Sequence, residues 1–83
     1  MQTLNNILAT NLRVAMAKEN INATKLHLLS GVSRSSITEY RKGNIKQVNL
    51  ESLSKISDAL NIKVSSLFLE GDLNEWRNRN NSI

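Results

Sequence analysis

Three glycines and no proline set the plan of this chain of 83 residues. Gly31, Gly43 and Gly71 each follow a stretch in which apolar residues recur at helical spacing. Helices commonly end on a residue with positive φ, which glycine adopts without the steric cost that a Cβ imposes. The punctuation therefore predicts several short helices rather than strands, and an all-α fold.

The first stretch, residues 4–19, carries Leu8, Leu12, Ala15 and Met16 on one stripe of a 3.6-residue period. Asn20 and Asn22 interrupt it. Asn22 is placed to accept a hydrogen bond from the free N–H groups of a second helix over 23–30. Leu26 and Leu29 are expected on the inward face of that helix. Ser33 is the expected N-cap of a third helix over 34–42, stopped by Gly43. Its inward positions are Ile37 and Tyr40; Arg34, Ser35, Thr38, Glu39 and Lys42 fall on the opposite side. A polar loop over 44–48 leads to Asn49, the expected cap of a fourth helix. Leu50, Leu53, Ile56, Ala59 and Leu60 form its stripe, with Asn61 as C-cap. Ser65 is expected to cap a fifth helix carrying Leu67, Phe68 and Leu69. One domain over 1–72 and a tail over 73–83 result, with no internal repeat.

The absence of cysteine removes disulfides, thiolate metal sites and thiol nucleophiles together. His27 is the only histidine, and a lone histidine on a helix reads as structural or exposed rather than as a metal ligand. Ser30, Ser33, Ser35 and Ser36 lack a base to activate them, so capping and turn roles explain them better than nucleophilic catalysis. No paired carboxylates, phosphate-cradling loop or metal cluster points to an enzyme, a cofactor or a small-molecule substrate. Apolar runs are too short to cross a bilayer, and the first residues lack the pattern of a secretory signal, so no membrane is expected and the default compartment is the cytoplasm.

Charge gives a positive indication. The formal net charge is +4, and Arg34, Arg41, Lys42 and Lys46 crowd into 34–46 against one acid, Glu39. Cationic side chains displace the counterions condensed on nucleic acid, so such a cluster fits a polyanionic partner. The cluster lies on and after the second of two short helices joined by Gly31-Val32-Ser33. A short link containing glycine sets two helices at a steep angle, with Val32 filling the corner and Ile37 and Tyr40 anchored on Leu26 and Leu29. This is a helix-turn-helix arrangement, whose second helix presents its first residues to base edges.

Residues 21–68 resemble the lambda-repressor-like helix-turn-helix family, which includes the phage Cro and repressor proteins. The resemblance rests on Leu26, Gly31-Val32-Ser33, Arg34-Ser35, Ile37, Gly43, Leu50-Glu51-Ser52-Leu53, Ile56, Ala59-Leu60 and Ile62. It implies a five-helix domain that binds operator DNA, usually as a homodimer, to regulate transcription in a phage, prophage or other bacterial element. It also implies base contacts from Arg34 and Ser35, with Thr38 and Glu39 one turn on. Arg34 can engage the O6 and N7 of guanine, a pairing that discriminates bases by about 1–3 kcal/mol. Glu39 either accepts from a cytosine amino group or pairs with Lys42. Phosphate contacts fall to Asn22, Lys25, Ser33, Arg41, Lys42, Asn44 and Lys46.

Two departures from the family stand out. Ala23 occupies the place where many relatives open the second helix with a DNA-contacting glutamine. Met16 and Arg41 stand where many pair a helix-one arginine with a glutamate, so that ion pair is lost; Met16 is expected in the core and Arg41 freed for phosphate. Phe68, Leu69, Leu73 and Trp76 are the candidate dimer interface, although Leu73 and Trp76 can equally close the monomer core. The alternative function is an antitoxin-type module whose main partner is a toxin, marked by apolar surface left open in the free protein.

Overall fold

The computed structural model describes residues 3–69. Over that span lie α1 (Leu4–Lys18), α2 (Ala23–Ser30), α3 (Arg34–Lys42) and α4 (Leu50–Ala59), closed by a 3-10 turn at Val64–Phe68. No strand occurs among the described residues. The first N–H groups of a helix have no partner within it, so each helix needs a side chain to begin it. Asn22 accepts from the Lys25 N–H, Ser33 from Ser36 and Asn49 from Ser52, as the sequence predicts, and Thr3 does the same for α1 by accepting from Asn6. Gly31 and Gly43 end α2 and α3 with φ of 77° and 78°. Asn20 and Asn61 do the equivalent after α1 and α4, with φ of 56° and 58°.

Leu8, Leu12, Leu26, Ile37, Leu53, Ile56, Leu60 and Leu67 are buried together, with Ala15, Met16, Val32 and Tyr40 completing the core. Helix α1 lies against α3 and the 3-10 turn, while α2 packs on α3 and α4. Each fully buried leucine or isoleucine contributes about 1.5–3 kcal/mol over an exposed one. Val32 fills the corner between α2 and α3, as its place in the link implies.

Four expectations need correction. Leu29 is 52% exposed, leaving Leu26 as the one buried residue of α2. At 3.6 residues per turn Leu29 lies about 60° round the helix from Leu26, and the strip covered by α3 and α4 is narrower than that. Leu50 is 68% exposed because it opens the first turn of α4, beyond the edge of the core. The C-cap of α4 is Leu60 and not Asn61, which sits one residue beyond in the left-handed conformation.

The fifth helix is a 3-10 turn, flanked by Lys63 rather than capped by Ser65, and Leu69 lies outside it in extended conformation. Asn11 supplies the reason. Its side-chain amide donates to the carbonyls of Ser66, Leu67 and Leu69 at 3.2, 2.7 and 3.1 Å, so those carbonyls point at α1 instead of at a further helical turn. The predicted roles of Gly71, Leu73 and Trp76, and the tail over 73–83, lie outside the described residues.

Candidate nucleic-acid interface

The turn Gly31-Val32-Ser33 places the first residues of α3 at the surface. Ser33 is held as the cap: its hydroxyl accepts from the Ser36 N–H at 3.2 Å and donates to the Ser36 hydroxyl at 2.9 Å. Behind the turn, His27 Nδ1 lies 2.7 Å from the Val32 carbonyl, and the Ser30 hydroxyl donates to the Leu26 carbonyl while accepting from the Val32 N–H. These polar groups are spent on fixing the corner. With Ile37 and Tyr40 buried beneath the helix, Arg34, Ser35 and Glu39 stand exposed on its outer side and Thr38 is half-buried. No ion pair joins Glu39 to Lys42, whereas Lys55 and Glu51 on α4 do form one at 3.3 Å.

The loop after α3 is held equally firmly. The N–H groups of Gly43 and Asn44 donate to the Tyr40 and Glu39 carbonyls, closing the helix in a left-handed cap. The Ile45 carbonyl accepts from the Asn5 side chain at 3.1 Å, and the Tyr40 hydroxyl accepts from the Asn49 N–H at 3.4 Å. A groove of about 500 Å³ opens between this loop and α3, lined by Ser35, Ser36, Glu39, Tyr40, Asn44, Ile45, Lys46 and Gln47. The structure thus gathers Ser35, Glu39, Asn44 and Lys46 from the expected contacts, and adds Gln47, for which the sequence offered no signal. Asn5 and Tyr40 position the loop; Tyr40 was legible only as core.

The remaining expected contacts divide. Lys25 and Lys42 are exposed. The side-chain oxygen of Asn22 is committed to the Lys25 N–H at 2.8 Å, which leaves its amide nitrogen as the group it can offer. Arg41 is half-buried and turns towards α1, where it lines a second cavity of about 340 Å³ with Arg13, Met16, Ala17, Asn20, Ile21 and Asn22. Met16 is in the core, as expected. Arg13, one turn earlier on α1, donates from Nη1 to the Arg41 carbonyl at 2.8 Å. The sequence did not single out this residue. Among the described residues, no group of His, Asp or Glu side chains is placed to hold a metal ion, and no helix is long and apolar enough to cross a membrane.

Family comparison agrees with this geometry. The model of the Cro/C1-type HTH DNA-binding domain matches residues 11–68, well over half of the chain. The chain belongs to that family. No curated protein and no solved structure matches it. The match runs from the buried Asn11 of α1 through the 3-10 turn, so the second half of α1, the other three helices and the turn lie inside the Cro/C1-type domain. It supports a DNA-binding regulator. In this Cro/C1-type domain the outer side of α3 is left bare by the packing of the other described residues.

Proposed function

We propose that this protein is a transcriptional regulator of the Cro or short-repressor kind, occupying an operator in double-stranded DNA as a homodimer with α3 in the major groove. The observation that carries the reading is the exposed edge of α3, where a guanidinium, a hydroxyl and a carboxylate project beside a cationic loop and stand uncovered by the other described residues. Arg34 and Ser35 read bases at the start of the helix, with Glu39 and the half-buried Thr38 one turn on. Lys25, Lys42, Asn44 and Lys46 hold phosphates and set the register, joined by Asn22, Ser33 and Arg41. Two such domains related by a twofold axis address half-sites about one helical turn apart, hence a palindromic operator. The exposed Leu69 and the half-buried Phe68 supply the dimer contact, together with Leu73 and Trp76, which lie outside the described residues. Residues 1–72 form the DNA-binding domain and 73–83 the tail.

Selection of bound sequences from random duplexes, followed by titration of the winner at several salt concentrations, tests the reading. A palindromic consensus bound with a steep salt slope is the expected result; weak binding that ignores sequence would remove it. Arg34→Ala is expected to relax preference at one base pair per half-site by about 1–3 kcal/mol. Lys46→Ala weakens all sequences alike and lowers the salt slope by about 1. Unchanged preference in Arg34→Ala would reassign the base-reading residue.

One observation favours a second reading. Leu28 and Leu29, adjacent on α2, are 71% and 52% exposed, which is apolar surface of the kind an antitoxin offers to its toxin. A stoichiometric protein partner that co-purifies with the chain, and is lost on Leu28→Ser, is the outcome that reading requires.

A further inference from the structure

We infer that Arg13 and Arg41 form a phosphate-oxyanion site at the seam between α1 and α3, and that filling this site tightens the recognition helix onto the body of the domain. The two arginines are 28 residues apart in sequence, yet Arg13 Nη1 donates to the Arg41 carbonyl at 2.8 Å and both side chains line one cavity of about 340 Å³. The other lining residues are Met16, Ala17, Asn20, Ile21 and Asn22. None of them is acidic, so among the described residues the cavity is lined by two cationic groups and no carboxylate.

One of these groups is visibly incomplete. The Nε of Arg41 is fully buried and makes no hydrogen bond. A guanidinium N–H withdrawn from water and left unpaired is costly, and the cost is relieved only when an acceptor enters. The acceptor must be anionic, because it meets two positive charges. It must also have several oxygens, because a guanidinium presents a fork of parallel donors that matches a phosphate or carboxylate edge. A phosphate has oxygens enough for both arginines and for the amide nitrogens of Asn20 and Asn22 at the rim.

The consequence concerns regulation. Without an anion the seam brings like charges together where α3 packs on α1; with one, the same charges draw the two helices onto a shared partner. Occupancy therefore stabilises the arrangement that presents Arg34. The source of the phosphate rests on the DNA-binding reading above, which makes it a backbone phosphate flanking the half-site; free inorganic phosphate offers the same chemistry.

The test begins without DNA. The full-length protein is unfolded by heat in sodium chloride and in sodium phosphate at matched ionic strength and pH. Phosphate at ten times its dissociation constant favours the folded state about 11-fold, a rise in midpoint of about 5–10 °C for a domain of this size. Phosphate is also expected to shift the Arg41 Nε–H resonance of the unaltered protein. Arg41→Gln and Arg13→Gln are each expected to abolish the phosphate-specific rise, while Lys55→Gln on α4 keeps it. On the selected duplex, Arg41→Gln is expected to lower the salt slope by about 1.

Absence of the rise and of the resonance shift in the unaltered protein overturns the inference, whatever the DNA result. A rise that survives Arg41→Gln places the anion elsewhere and overturns it too. A rise with an unchanged salt slope confirms the anion site and overturns its link to DNA. Failure to find any preferred duplex, with the rise intact, sinks the DNA reading and leaves the anion site standing.

Discussion

Leu26→Ala is expected to remove about 2–5 kcal/mol of stability and, with it, most DNA binding at physiological temperature. Leu26 is the one buried residue of α2, and α2 touches the rest of the domain through α3 and α4. Truncation therefore leaves a cavity at the point where three helices meet, and the half-buried Ala23 and the His27 and Ser30 hydrogen bonds are left to hold the helix in place. A domain of 83 residues has a total stability of about 4–12 kcal/mol, so the loss is a large share of it. The urea midpoint is expected to fall with the slope unchanged. Leu28→Ala, on the same helix but 71% exposed, is expected to leave the midpoint nearly where it was. A change below about 1 kcal/mol in Leu26→Ala would show that α2 is held by something other than its buried leucine. Affinity for DNA then follows the folded fraction, because the corner that presents Arg34 is built on Leu26 through the Ser30 hydroxyl that its carbonyl receives.

The parts of the fold legible in the sequence are those decided within a few residues. Asn22, Ser33 and Asn49 announce helix starts because a cap acts on the N–H three residues ahead. Gly31 and Gly43 announce ends because only the left-handed conformation closes those helices. Periodicity located Leu53, Ile56 and Leu60 but misplaced Leu29 and Leu50, since a period gives the direction of a face and not the width of the strip its neighbours cover. The exposed face of α3 was legible for the same local reason: Arg34, Ser35 and Glu39 oppose Ile37 and Tyr40 on one short helix.

What escaped is non-local. Arg13 meets Arg41 only because α1 and α3 cross, and nothing within either segment signals the meeting. Gln47 joins the groove because Asn5, on another helix, tethers the loop before it. The 3-10 turn was taken for a helix because its conformation is decided by a side chain more than 50 residues away.

That side chain is the subject of the second large effect. Asn11 falls on the α1 stripe between Leu8 and Leu12, a place where an apolar residue is expected, and it is buried. Its amide nitrogen has two hydrogens and faces three carbonyls, the shortest contact being 2.7 Å to the buried Leu67. Asn11→Asp keeps the shape and replaces the donor by a second acceptor. At neutral pH the substitution buries an ionised carboxylate against carbonyl oxygens, and about 3–5 kcal/mol of stability is expected to be lost.

The loss depends on pH in a direction that can be worked out. Carbonyls around the new carboxyl favour its neutral form, which can donate one O–H, so its folded-state pKa lies above the unfolded value of about 3.9. Stability linked to a raised pKa is present below the unfolded value and is lost as pH rises through the folded one. The deficit relative to the unaltered protein is therefore smallest near pH ~4 and widens towards neutrality. Asn11→Leu removes the donors without adding a charge and is expected to show a deficit that does not change with pH. Parallel pH profiles for the two variants would mean that the side chain does not meet those carbonyls. Should the profiles diverge as expected, the 3-10 turn owes its place to Asn11. Loosening it then also frees Phe68 and Leu69, so under the proposed dimer both variants lose affinity for a palindrome more than for a single half-site.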